Sequence, residues 1–327
     1  MENTEKLAVG LTILFYCLIN CCVVADFPNF QSGFNLTVVN ISKINERLYD
    51  VVVESTAVKD PQNIRVLVPD DYTTSNATRR YPVLYLLHGA HEGAQTWTTA
   101  GTAQQTIGNR SVIAVMPNGA RFGWYTNWLF PGNATPQDWR TFHNEQVIPW
   151  IDFNLRTVAK KQGRAIAGLS MGGYGAIRYA EVYPENFIYT ASFSGTLNLR
   201  DRGIQAFVVS TESGDQKPGK GPFGPPFIMT NTSGWVVQDA VTHGETLRGL
   251  NISIYTGDVG IPEIDMYRSA FDMHRALNTL NISHFYLNYG NGKSIGNGCH
   301  GKHEWACWNA CLIDVLPRIM TVLEQQF

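Results

Sequence analysis

The stretch Arg164-Ala165-Ile166-Ala167-Gly168-Leu169-Ser170-Met171-Gly172-Gly173 limits what this chain can fold into more than any other. Its first half is a short apolar run with a polar start, the pattern of a central parallel strand, and it leads directly into a serine flanked by Gly168 and Gly172. A strand that turns sharply into a helix needs small residues on both sides of the corner. Such a corner also presents the serine hydroxyl to a neighbouring base. The pattern predicts a helix from near Tyr174 to Tyr183, stopped by Pro184. Glycine and serine are common, so this match by itself is weak, and its context has to decide between a nucleophile and a structural Gly-Ser turn.

The context is a parallel sheet. Val83–Leu87, ending in His88-Gly89-Ala90-His91, and Ser111–Met116, closed by Pro117-Asn118-Gly119, are continuous apolar runs of the kind that strands covered on both faces require. Tyr189–Ser194, Asn251–Thr256 and His284–Leu287 extend the sheet beyond the serine strand. Leu48–Glu54 and Asn63–Val68, separated by Lys59-Asp60-Pro61, read as an antiparallel hairpin ahead of it. Helices are expected from Trp139 to about Asn154 with Asp138 as cap, from Asp265 to about Leu280, and from Glu304 to Gln325 with a kink or break at Pro317. Roughly 300 residues with no repeat or low-complexity break suit one α/β domain, a mostly parallel central sheet with helices on both faces. From about 200 to 250 the regular pattern lapses, and Gly214–Pro226 is crowded with glycine and proline. This reads as a loop-rich insertion, either a roof over the sheet edge or a surface loop.

The first 25 residues, with Lys6, the apolar run Leu7–Ile19 and a small-residue end at Ala25, read as a cleaved signal peptide, so the mature domain is 26–327. Nothing later is long and apolar enough to span a bilayer. Eight N-x-S/T sequons, beginning at Asn35, Asn40, Asn76, Asn109, Asn133, Asn231, Asn251 and Asn281, fit a secreted eukaryotic glycoprotein. Asn251 and Asn281 stand at strand starts, where a glycan could clash. A formal net charge of −2 without a basic cluster argues against nucleic acid and against an electrostatically held membrane surface. Past the signal peptide three cysteines remain: Cys299, Cys307 and Cys311. In an oxidising compartment Cys299 is expected to bridge to Cys307 or Cys311, which sit one turn apart on a single helix.

A serine nucleophile needs a histidine to take its proton and a carboxylate to orient that histidine. In the α/β-hydrolase arrangement they follow in the order serine, acid, histidine. Only His284, His300 and His303 lie downstream of a plausible acid, and His284 begins a strand, which leaves His300 and His303. From about Ile64 to Leu312 the chain resembles the Putative esterase family of the α/β-hydrolase fold, which includes antigen 85 mycolyltransferases, S-formylglutathione hydrolases and feruloyl esterases. The resemblance to antigen 85 is carried by Tyr85-Leu86-Leu87, Trp124-Tyr125-Thr126-Asn127-Trp128, Gly168-Leu169-Ser170-Met171, Phe193-Ser194-Gly195 and His303-Glu304-Trp305-Ala306-Cys307-Trp308. It implies that His303, in an H-x-W-x-x-W pattern, is the base and that the backbone N–H groups of Ala90 and Met171 form the oxyanion hole. His88 departs from antigen 85, which has an acidic residue there, and Gly257–Met266 is shorter than its antigen 85 counterpart, so mycolyl chemistry is not carried over.

Two aspartates compete for the acid. Asp258 ends the strand Asn251–Thr256, whereas Asp265 opens the next helix at about the distance from His284 that the turn acid has in shorter family members. Antigen 85 keeps its glutamate after an Ile-Pro step, and Asp265 follows Ile261-Pro262, so Asp265 is the expected acid. The expected activity is that of a secreted serine carboxylic-ester hydrolase working through Ser170, His303 and Asp265 and an acyl-enzyme, with no cofactor and no metal, on a small ester or lipid. Acyl transfer to a sugar or lipid alcohol would use the same residues. A catalytically silent binding protein on a hydrolase scaffold is the alternative of another class.

Overall fold

The computed structural model describes residues 28–132, 135–211, 221–228 and 230–325. The expected signal peptide, the sequon at Asn133 and part of the Gly/Pro-rich stretch fall outside the described residues.

Among the described residues nine strands form one sheet: β1 (Leu36–Lys43), β2 (Leu48–Ser55), β3 (Gln62–Leu67), β4 (Val83–Leu87), β5 (Ile113–Pro117), β6 (Arg164–Leu169), β7 (Tyr189–Phe193), β8 (Asn251–Gly257) and β9 (Phe285–Gly290). Their spatial order is β1-β2-β3-β5-β4-β6-β7-β8-β9. The first three strands pair antiparallel, β3 meets β5 antiparallel, and β5, β4, β6, β7, β8 and β9 are parallel. The chain runs from β4 outward to β5, then crosses back to β6 on the other side of β4. The carboxyl ends of β4 and β6 therefore flank the point where the direction of winding reverses, the place where open α/β sheets put their ligands.

Five helices concern the site: α1 (Ile148–Asn154), α2 (Met171–Val182), α3 (Arg202–Thr211), α4 (Glu263–Thr279) and α5 (Trp305–Val322). The strands are apolar throughout because both faces are covered. Val83, Tyr85 and Leu87 pack with Ile166 under Trp150, Tyr174 and Tyr179 of α1 and α2, while Leu84 and Leu86 point the other way, toward Cys311, Leu312 and Val315 of α5. A third cluster joins Ile177 of α2 to Ile252 and Ile254 of β8 and Met273 of α4.

Several elements differ from the sequence expectation. β1 was not anticipated. The helix expected from Trp139 to about Asn154 runs unbroken over those bounds, but its middle, Phe142–Val147, widens into a π-helical turn ahead of α1, and Asp138 makes no side-chain cap bond. Pro317 lies inside α5 without ending it, since the turn it fails to bond is offset by the burial of Val315, Leu316 and Ile319 on either side. The insertion has more structure than a surface loop: it holds α3, and Phe223 and Trp235 are buried against each other at 4.9 Å. Phe223 also meets Trp124 at 5.8 Å and Tyr174 at 6.0 Å, one turn past Ser170. Among the described residues no helix is long and apolar enough to cross a membrane.

Candidate active site

Ser170 sits between β6 and α2 with φ 52° and ψ −119°, a conformation that non-glycine residues rarely adopt. The corner is held by close packing that only glycine permits. A β-carbon on Gly172 would stand 2.3 Å from the Leu87 carbonyl oxygen, and one on Gly168 would stand 2.2 Å from the Gly172 carbonyl oxygen. The two glycines let the start of α2 press against the ends of β4 and β6 and hold the serine hydroxyl over the sheet edge.

His303 reaches this hydroxyl from the loop between β9 and α5. Its Nε2 is 2.8 Å from Ser170 Oγ and its Nδ1 is 2.7 Å from Glu263 Oε2. The ring stands edge-on to Trp308, 4.9 Å between centroids, and Trp308 in turn packs against Trp305 at 5.4 Å. These contacts give the H-x-W-x-x-W pattern its physical meaning, because the two indoles fix the plane in which the imidazole turns. His300 is elsewhere, exposed and paired with Glu304 at 3.0 Å.

The carboxylate on His303 is Glu263 and not Asp265. Glu263 is the first residue of α4 and completely buried. Its Oε1 accepts hydrogen bonds from the Gly257 N–H and the Ser194 hydroxyl, each at 2.7 Å, which keeps Oε2 directed at the imidazole. Asp265 lies two residues further along the helix, roughly 200° around its axis. There it faces Arg268 at 3.4 Å, in the first turn, where a carboxylate complements the helix dipole. Asp258 is exposed, and among the described residues its carboxylate accepts only from the Asn288 amide, at 3.3 Å. The missed signal was in the Ile-Pro step itself. The residue that follows Ile261-Pro262 directly is Glu263, and Pro262, not Asp265, is the residue from which the helix starts.

Met171 directly follows Ser170, and Ala90 follows Gly89, on which a β-carbon would lie 3.4 Å from Ser170 Cβ. Among the described residues neither N–H has a hydrogen-bond acceptor, whereas the neighbouring Ser170 N–H bonds Phe193 O and the Tyr174 N–H bonds Ser170 O. The loop before Ala90 is braced from behind. The Gly119 N–H donates to His88 Nε2 at 2.8 Å, so the ring proton is on Nδ1 and goes to the Gly89 carbonyl, also at 2.8 Å. The Tyr125 hydroxyl donates to the His88 carbonyl at 3.0 Å. Below it His143, in the π-helical turn, bonds Asn118 O and the Tyr179 hydroxyl. Burial pushes the imidazole pKa of His88 down to about 4 and that of His143 down to about 3, so both are neutral structural rings, not further bases.

Cys299 and Cys307 form a disulfide, and Cys311 is free and buried. The bridge closes the loop that carries His303. Replacing Cys299 or Cys307 with serine is therefore expected to lower ester turnover about tenfold while circular dichroism and solubility stay close to those of the parent, because the loop loses its tether while Cys311, Leu312 and Val315 keep their core cluster packed. Unchanged turnover in both variants would remove the bridge from the account of the site.

A buried serine on a strained strand-to-helix corner, a histidine between it and a carboxylate, and two free amides beside it define the class: an α/β fold carrying a serine–histidine–carboxylate constellation. The family model described as Putative esterase matches residues 55–319, and the chain belongs to that family. An esterase of Mycobacterium tuberculosis is 41% identical over 182 residues, 54% of this chain and 39% of the relative, so the chain spans about two fifths of that relative's length. A Mycobacterium leprae protein named diacylglycerol acyltransferase/mycolyltransferase Ag85B is 26% identical over 256 residues, covering 74% of this chain and 76% of that one. In fold, the chain is similar to MPT51 of Mycobacterium tuberculosis, with a TM-score of 0.68 at 19% identity, covering 88% of this chain and 100% of that one. It is also similar to an S-formylglutathione hydrolase from Agrobacterium tumefaciens, with a TM-score of 0.67 at 14% identity, 88% of this chain and 99% of that one.

Proposed function

We propose that this chain is a secreted serine esterase that works through Ser170, His303 and Glu263. The observation that carries the reading is the placement of His303, hydrogen-bonded to both the serine and the carboxylate. Ser170 Oγ attacks the ester carbonyl carbon as its proton passes to His303 Nε2, and Glu263 remains ionised and holds the imidazolium. The Ala90 and Met171 N–H groups receive the negative charge that develops on the carbonyl oxygen. Collapse of this intermediate expels the alcohol, which takes the proton back from His303 and leaves an acyl group on Ser170. Water then enters, gives its proton to His303, and releases the acid by the reverse sequence. Secretion is supported by the sequons: all seven described asparagines, Asn35, Asn40, Asn76, Asn109, Asn231, Asn251 and Asn281, are exposed.

The likeness to an acyltransferase over three quarters of both chains favours a second reading, in which a sugar or lipid alcohol replaces water in the second half-reaction. A series of p-nitrophenyl esters of graded chain length, assayed with and without an added polyol, separates the two. Ester hydrolysis predicts release of free acid at a rate the polyol leaves unchanged; acyl transfer predicts a faster second step and an acylated polyol. No turnover of any ester in the series, with no acyl-enzyme by mass spectrometry, would refute both.

A further inference from the structure

Glu92 stands outside the triad yet touches both sides of the site. Its Oε2 accepts a hydrogen bond from the Gly89 N–H and its Oε1 accepts one from the Trp305 indole N–H, each at 2.9 Å. Gly89 immediately precedes Ala90, and Trp305 is two residues beyond His303. A β-carbon on Gly89 would lie 3.3 Å from Glu92 Oε2 and 3.4 Å from Ser170 Cβ, so carboxylate, loop and nucleophile share one small space. Two carbonyls of the loop are already committed, that of Gly89 to His88 and that of His88 to Tyr125. Without Glu92 the Gly89 N–H and the Trp305 N–H would both lose their acceptor.

We infer that Glu92 is a positioning residue that ties the loop bearing the Ala90 amide to the segment bearing His303, and whose negative charge favours the imidazolium formed during turnover. The inference rests on the triad reading above. The titratable and charged groups around His303 are Glu263 at Nδ1, Ser170 at Nε2 and Glu92 across the site; around Glu92 they are His303 and the Tyr125 hydroxyl. Burial raises the Glu92 carboxyl, while the two N–H donors and the His303 charge draw it back toward the ionised form. Glu263 thus touches the base while Glu92, turned toward the Gly89 and Trp305 N–H groups, acts on it through space, and removing that charge should disfavour a positive charge on the ring.

The test is the pH dependence of kcat and KM for a p-nitrophenyl ester, measured on the full chain and on two variants from about pH 5 to about pH 9. Glu92→Gln is expected to lower kcat about tenfold, to leave KM nearly unchanged, and to move the acid limb of the profile to lower pH by about half a unit. A purely structural role would lower kcat without moving that limb. Trp305→Phe keeps the charge and removes one donor, so it should lower kcat several-fold and leave the acid limb in place. If Glu92→Gln gives an acid limb that coincides with the wild type, or if it does not fold and Trp305→Phe retains full kcat, the inference is overturned. A wild type that neither reacts with a fluorophosphonate nor turns over esters overturns the triad and this inference with it. Labelled, active enzyme with an unmoved acid limb overturns the Glu92 role alone.

Discussion

Ser170→Ala is expected to lower ester turnover by about five to six orders of magnitude, the loss seen when the nucleophile of an interdependent triad is removed. The fold should tolerate the change. Ser170 is only 6% exposed, but its hydroxyl contributes one hydrogen bond, to His303, and the corner is held by Gly168 and Gly172 packing against backbone. The backbone bonds of the corner, Ser170 N–H to Phe193 O and Tyr174 N–H to Ser170 O, do not involve the side chain. The variant should therefore accumulate like the wild type and melt within a few degrees of it, yet fail to react with a fluorophosphonate. A Ser170→Ala protein that still forms an acyl-enzyme would assign the nucleophile elsewhere. The residual rate, if measurable, reports what the Ala90 and Met171 amides achieve alone.

Glu263→Gln comes second, with an expected loss of about four orders of magnitude in kcat, as when the orienting aspartate of a serine protease is replaced by its amide. The geometry explains why so small a change is costly. Glu263 Oε1 is filled by the Gly257 N–H and the Ser194 hydroxyl, so an amide would have to turn its NH2 toward His303 Nδ1. Facing that donor, Nδ1 loses its proton and Nε2 keeps one, so the ring can no longer accept from Ser170. Asp265→Asn, by contrast, breaks one long contact to the exposed Arg268 and is expected to stay within about twofold of the parent, in line with the low value of surface ion pairs. Measuring the two variants side by side decides the acid: equal losses, or a larger one at Asp265, would contradict the assignment to Glu263.

Much of this was legible in the residues because the relevant physics is local. A strand buried on both faces has to be continuously apolar, and a corner that brings α2 against β4 has to be glycine, so β4, β5, β6 and Ser170 could be read directly. The order of the histidines narrowed the base to two neighbours, and the resemblance to antigen 85 over His303-Glu304-Trp305-Ala306-Cys307-Trp308 chose between them. The acid was missed by two residues because the Ile261-Pro262 step was matched to the aspartate three positions beyond it and not to Glu263, which follows it directly. Which of two nearby carboxylates turns inward depends on the helix phase, and that phase was set by Pro262. β1 was missed for a different reason. It is an edge strand whose side chains beyond Leu36 are exposed or half-buried, so no period-two pattern marks it. Neither Glu92 nor the widened turn at His143 carries any local signal, since each is defined by partners far away in the chain.

The bridge between Cys299 and Cys307 gives the protein a maturation step that is chemical in kind. The sheet, the serine corner and Glu263 can all form from non-covalent contacts alone, and only the short span holding His303 waits for an oxidant. A chain made where thiols stay reduced should then be a soluble, well-folded protein about tenfold less active, convertible to the working form by oxidised glutathione without any unfolding. For this family member the compartment of synthesis would decide the specific activity of a preparation, and a weak result from a reducing host would reflect redox history more than substrate choice.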